Sequence, residues 1–428
     1  MYFHSFKLKA GFSPVLGLAL FFSSLCWAEP VDKRPVQGIS QNLFSKIGDI
    51  ETLANDDNVA SLRKALTLAK QTAETCKKCN DYEIAIIYRY LAWLHFQTGE
   101  VQEAIYYYEE TIKKSPAIPI AIELEALLAL SKTLFQEGDY ADALQYLENW
   151  KTLSRDIPAD IYFLEARIYY FLNRHAAALD RIKQAINIEE DAAGQAMEEW
   201  YLFARSLEYQ QENYLACLAI QRKLLEHYNK DVHWRDLAIF YGLLGDEYNQ
   251  IAAMDTAWIL GGLKQESELL NFAWMLQNVE VPFKAAMVLE NGFKQGKLQH
   301  NLDNLKQLAG AWYAAAEINK AIAAMEEAVA YANNGNPHAF LSTLYLETSN
   351  FSQAVESAQQ GIKAGNLKEP GRLYINLGIA LFEQNKFDTA ISAFRRARDD
   401  KNTYDNAEKW LLHVYNQRLR AEQLDMHL

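Results

Sequence analysis

The sequence predicts an all-α solenoid, a stack of paired helices that repeats along the chain and is closed at its C-terminal end by one further helix. A helix-pair pattern recurs nine times between about Ala85 and Asn402, and two series of residues keep it in phase. The turns between first and second helices fall at Gly99, Gly138, Asn173, Glu212, Gly245, Glu280, Ala316, Ser349 and Asn385. Five residues after each turn stands Ala104, Ala143, Ala178, Cys217, Gln250, Ala285, Ala321, Ala354 or Ala390. A small side chain there lets the second helix lie at the ~8–10 Å separation of packed helices, and Gln250 alone departs. Pairs such as Leu91 and His95, Leu130 and Leu134, or Leu308 and Trp312 add the i, i+4 stripe that seals each helix pair to the next. Pro116, Pro158, Pro337 and Pro370 fall near repeat boundaries, where proline starts or ends a helix without losing an internal hydrogen bond.

Taken in order, residues 1–28 read as a signal peptide. Lys7 and Lys9 supply the positive start, Val15 to Phe22 the apolar run, and Cys26-Trp27-Ala28 the cleavage end. That run is shorter than the ~20 residues needed to span a bilayer, so the mature chain is expected without a membrane span and in the periplasm. Leu25, ahead of Cys26, is too large for a lipoprotein signal. Residues 29–41 form a flexible N-terminal segment, which could lie in the groove of the solenoid as a tethered ligand. Residues 42–80 form an irregular helical pair or N-terminal cap, 81–402 the repeat array and 403–428 a C-terminal capping helix. In that last helix Trp410, Leu411, Val414 and Tyr415 share one side. No Gly/Ser-rich or Pro-rich stretch interrupts the array, so one elongated body is expected from the 428 residues.

The formal charge is −13, and removing Lys7 and Lys9 with the leader takes it to −15. An acidic chain of this kind is a poor partner for nucleic acid. Of the four cysteines three remain after cleavage. Cys217 occupies an alanine position and reads as a small buried hydrophobe. Cys76 and Cys79, three residues apart at a helix end, either close a small disulfide in an oxidising compartment or remain free thiols. Two ligands do not make a zinc site. The sequence holds no HExxH, no GxSxG, no P-loop and no strand-borne glycine fingerprint. No catalytic, cofactor or metal residue is therefore assigned, and the chain reads as non-enzymatic.

The functional surface is expected on the first helices, one to three turns along each. Those positions hold Arg89, Trp93 and Phe96; Lys132 and Phe135; Phe163, Arg167 and Tyr170; Tyr201 and Arg205; and Arg235. Cationic and aromatic groups thus share one face of an acidic protein. They suit an extended protein segment bearing carboxylates and apolar anchors, because Arg pairs bidentately with carboxylate and aromatics bury area at low entropic cost. The competing reading is that the aromatics pack against neighbouring first helices and the arginines pair with Glu125, Asp160 and Glu198.

The clearest copy, Gly371 to Asn402, with Tyr374, Leu377, Gly378, Leu381, Phe387, Ala390, Phe394 and Ala397, resembles the tetratricopeptide repeat (TPR) unit of ~34 residues. The resemblance implies a right-handed superhelix of nine to ten such pairs. Several stretches look more narrowly like periplasmic TPR proteins associated with TonB-type energy transduction. They are Leu147-Glu148-Asn149-Trp150, Glu199-Trp200-Tyr201-Leu202, Gly245-Asp246-Glu247 through Ala252-Ala253-Met254, and Glu280-Val281-Pro282 through Leu289-Glu290-Asn291-Gly292. That likeness implies an accessory scaffold for a TonB, ExbB and ExbD uptake system, touching TonB, ExbD or a TonB-dependent receptor. A scaffold for polysaccharide export or outer-membrane protein assembly is the alternative.

Overall fold

Each of the nine helix pairs expected from the repeat is closed by a residue just past the end of its first helix. All nine turn residues named above have φ between 57° and 92°, the left-handed region. In all nine, the next residue's N–H donates to the carbonyl five positions back at 2.8–3.0 Å, from Glu100 to His95 through to Lys386 to Leu381. This Schellman closure satisfies carbonyls that a helix end would otherwise leave orphaned. Three of the nine are glycine; each of the others accepts a cost of about 1 kcal/mol for its Cβ.

A computed structural model describes Arg34 and residues 37–56 and 58–425. The leader expected at residues 1–28 lies outside them. The described chain is helical throughout, with no strand, and divides into two compact units, residues 1–228 and 229–428. Unit 1 comprises five helix pairs: α1 (Gln41–Ala54) with α2 (Val59–Thr75), α3 (Asp81–Gln97) with α4 (Val101–Ile112), α5 (Ile120–Glu137) with α6 (Tyr140–Leu153), α7 (Ala159–Phe171) with α8 (His175–Ala193), and α9 (Glu198–Gln210) with α10 (Tyr214–Tyr228). Unit 2 has five more and a final helix: α11 (Asp231–Leu243) with α12 (Glu247–Ile259), α13 (Glu266–Asn278) with α14 (Pro282–Lys294), α15 (Leu302–Ala314) with α16 (Ile318–Ala328), α17 (Asn336–Glu347) with α18 (Phe351–Ala364), α19 (Pro370–Glu383) with α20 (Phe387–Arg398), and α21 (Tyr404–Asp425). None of the described helices is long and apolar enough to cross a membrane.

Helix starts are written in the sequence. Asn58, Asp246 and Asn301 accept hydrogen bonds from the backbone N–H three residues on, and Asn80 with Glu83 forms a capping box on α3. Proline opens α14, α17 and α19, where its missing N–H costs nothing.

The eight small residues of the second helices are all fully buried. The ninth position is resolved by compensation, since a Cβ at Gly242 on α11 would overlap the Gln250 side chain. A glycine eight residues earlier makes the room that alanine makes elsewhere. In the last pair Gly378 does the same for the Phe394 ring, which stacks on Trp410 of α21 at 5.5 Å. With Ala407, Leu411 and Val414 buried beside it, α21 covers the α20 face that would otherwise meet water.

The described part of residues 29–41 does not hang free. The Gly38 carbonyl accepts from Asn80 Nδ2 at 3.1 Å, and the Ser40 N–H donates to Glu83 at 2.8 Å. Arg34 pairs with the Glu123 carboxylate at the start of α5 and donates to Ser115 Oγ at 3.0 Å.

Candidate functional site

Within unit 1, contacts between successive first helices define one face, formed by α3, α5, α7 and α9. Its arginines are treated very differently. Arg89 of α3 donates to Glu125 of α5 at 2.7 Å and lies 5.0 Å from the Tyr90 ring. Burial works against its charge, but Glu125 and the Tyr90 hydroxyl outweigh it and hold its pKa up. Trp93 and Phe96 are half-buried and packed into the cores of the first pairs.

Arg167 of α7 lies 4.8 Å over the Phe135 ring of α5 and 5.7 Å from Phe163 on its own helix. It is half-buried and makes no ion pair among the described residues. Burial pushes its pKa down, with the charge of Glu199 opposing weakly. Lys132, one turn before Phe135, is likewise pushed down by burial, against the pull of Asp160. The aromatics continue across the face: Phe163 meets Trp200 at 5.3 Å and Phe203 at 6.1 Å, and Tyr170 meets Phe203 at 5.6 Å. Phe135 also packs edge-on to Phe171 at 5.6 Å, and Phe171 stacks on Tyr140 at 4.8 Å. Lys132, Phe135, Phe163, Arg167 and Tyr170 are therefore brought together on α5 and α7.

The remaining expected site residues lie elsewhere. Tyr201 is fully buried, its hydroxyl donating to Glu190 at 2.5 Å and accepting from the Ala196 N–H at 3.2 Å. It cannot face a partner, because α9 begins only three residues earlier and turns this side chain toward α8 and α10. Arg205 donates to the buried amide of Gln221 on α10 and so ties two helices of one pair together. Arg235 belongs to unit 2, where Glu268 at 3.1 Å and Asp236 at 3.3 Å hold it. Phe171 contributes to the face, and the buried Trp200 and Phe203 pack beneath it; none of the three was among the site residues expected from sequence. Their signal was present as aromatics one or two positions from those chosen, and the rotation of each helix decides which of them meets the neighbouring first helix.

Away from this face, Cys76 and Cys79 are disulfide-bonded with Cα atoms 5.3 Å apart, while Cys217 is a buried thiol whose pKa burial raises to about 11. His95 is buried, with Nδ1 2.7 Å from Glu100 and its ring stacked on Tyr107, a packing environment. Among the described residues no group of three or more His, Cys, Asp or Glu could hold a metal ion.

Residues 60–118 and 341–406 match the family described as Tetratricopeptide repeat. With the helix pairs, left-handed turns and small-residue seams of both units, these matches agree with a solenoid of tetratricopeptide-type repeats. Similar solved structures include MamA, 18% identical over 42% of this chain and 93% of that one, with a TM-score of 0.35. YrrB, described as a TPR protein with an unusual peptide-binding site, is 13% identical over 45% of this chain and 91% of its own, with a TM-score of 0.35. A tetratricopeptide repeat protein of Parabacteroides merdae is 14% identical over 77% of this chain and 98% of its own, with a TM-score of 0.34. These likenesses carry no functional argument. No curated protein matches the chain.

Proposed function

We propose that this protein is a periplasmic scaffold that holds an extended segment of a partner protein on the α5–α7 part of its first-helix face, within a TonB, ExbB and ExbD-dependent uptake system. The observation that carries the binding reading is Arg167. Arg89 and Arg235 are already matched by internal carboxylates, whereas Arg167 is a half-buried guanidinium set against two phenylalanine rings, influenced by Glu199 but in no ion pair among the described residues. Such a group is desolvated in advance, and a partner carboxylate recovers charge pairing that water no longer supplies in full. The surrounding rings offer apolar area at little entropic cost. The TonB assignment and the compartment are supported by the sequence resemblance and by the leader-like residues 1–28.

The test combines substitution of one residue with capture in cells. Arg167→Glu is expected to weaken partner binding by at least about tenfold, and Arg167→Gln, which keeps a polar group between the rings, to do the same at a stability cost of about 1 kcal/mol for the lost ring contacts. Photo-crosslinking from Trp93 and Tyr170 under iron limitation should trap TonB, ExbD or a TonB-dependent receptor. Adducts with polysaccharide-export or outer-membrane assembly proteins would move the assignment to those processes, and undiminished binding by Arg167→Glu would remove the face as the site.

A further inference from the structure

Unit 2 carries a second surface, remote in kind from the first-helix face. A cleft of about 440 Å³ opens between the second helices α12 and α14 and the turn that precedes α14. Its walls are apolar: Tyr248, Ile251, Val279 and Val281, above the buried Leu276. Tyr248 is 83% exposed, Val281 41% and Val279 37%. Tyr248 stands on the first turn of α12, and the two valines flank Glu280, the left-handed turn residue of their pair. Nothing in the folding of the repeat requires large apolar groups there, because the residue closing this turn does so through backbone geometry. An exposed apolar cluster rimmed by charge is the usual mark of a docking surface.

The rim has one sign. Lys284, the cation lining the cleft, is neutralised by Asp255 at 2.5 Å, an ion pair that also ties α12 to α14. Glu247 and Glu280 are exposed and make no ion pair among the described residues. Asp246, which caps α12 through the Asn249 N–H, adds further negative charge beside them. We infer that this cleft docks a segment of a partner protein in which an apolar side chain is flanked by Lys or Arg. The apolar group fills the cleft, and the flanking cations meet Glu247 and Glu280. The preference is therefore opposite in sign to that of the Arg167 face, so one protein presents an acid-seeking and a base-seeking surface. Complementary charge at an open rim acts mainly on association rate and discrimination and is screened by salt.

The experiment titrates the full chain with three synthetic peptides followed by fluorescence anisotropy. One has a Leu-Trp core flanked on each side by two lysines, the second has the same core flanked by glutamates, and the third has Gly-Gly between the lysines. The lysine-flanked Leu-Trp peptide should bind about tenfold or more tighter than either of the others and lose that advantage in high salt. Tyr248→Ser/Val281→Ser should abolish binding, and Glu247→Lys/Glu280→Lys should transfer the preference to the glutamate-flanked peptide. These side chains are exposed, so the variants keep the fold. Arg167→Glu should leave binding unchanged, which separates this surface from the first-helix face. Equal affinity for the two Leu-Trp peptides, or retained binding by Tyr248→Ser/Val281→Ser, overturns the inference.

Discussion

The two units are built from the same repeat yet distribute charge and apolar surface in opposite ways. Among the described residues, unit 1 buries four carboxylates, Glu83, Glu123, Glu165 and Glu208, and unit 2 buries none. Exposed large hydrophobic side chains number five in unit 1, from Phe44 to Leu215, and fifteen in unit 2, from Leu243 to Leu419. Glu165 stands where other repeats place Leu130, Phe272 or Leu308, and it is held by Lys151 of α6 at 2.9 Å and Arg181 of α8 at 3.2 Å. Glu208 meets Lys183 of α8 at 2.5 Å and Asn213 at 2.9 Å. Unit 1 therefore carries part of its polarity inside, where ion pairs tie neighbouring helices together, and unit 2 leaves more of its apolar groups exposed. Repeat positions define the fold in both; the positions between them set the surface and buried charge of each unit.

The largest test of this contrast is Glu165→Ala. It leaves Lys151 and Arg181 without their buried partner and should cost about 3 kcal/mol, read as a lower urea midpoint with faster hydrogen exchange in α6 to α8. The triple change Lys151→Met/Glu165→Leu/Arg181→Met should return most of that loss, because an apolar seam of similar volume needs no desolvated ions. A silent Glu165→Ala would mean that the buried charge has no energetic content. Unit 2 should break differently, through main-chain approach. A Cβ at Gly335 would overlap the Gly361 carbonyl, which is backbone and cannot swing aside. Gly335→Ala is expected to cost about 2 kcal/mol, with accelerated exchange confined to α17 through α19.

The smallest effect is acid sensitivity at the start of unit 1. The Ser40 N–H holds the Glu83 carboxyl below its ordinary value of 4.5. A lowered carboxylate pKa contributes stability above the ordinary value and loses it as the pH falls through the lowered one. Protection of α1 to α3 against exchange, taken relative to the intrinsic rate at each pH, should therefore fall below about pH 4, and Glu83→Gln, at a cost of about 1 kcal/mol at neutral pH, should flatten that dependence. An unchanged profile in Glu83→Gln would assign the acid response to another carboxylate.

Much of the fold was legible because the repeat leaves a local signature. All nine turn positions read from sequence adopt left-handed φ, including Glu280 and Ala316, whose residue types give no hint of it; only the period located them. Gln250 was visible as an exception, but its remedy at Gly242 was not, because it depends on which residue of the first helix faces it. The functional face was legible less far. Spacing placed Arg89 and Arg167 on equivalent turns, yet one meets Glu125 and the other two phenylalanines, a difference set by neighbours on another helix. Tyr201 satisfied the spacing but lies where its helix begins, and there the local rotation buries it. The division after Tyr228 left no mark, since no change of composition accompanies it.

The contacts of Arg34, Gly38 and Ser40 also bear on the order in which the chain can assemble. Arg34 finds its partner at Glu123, a separation of 89 residues, and Ser40 finds Glu83 after 43. A chain made from its N-terminus meets these partners only after α3 and the start of α5 have appeared. The first residues of the described chain are therefore among the last of the opening pairs to settle, and a helical stack whose neighbours otherwise form locally begins with a long-range closure.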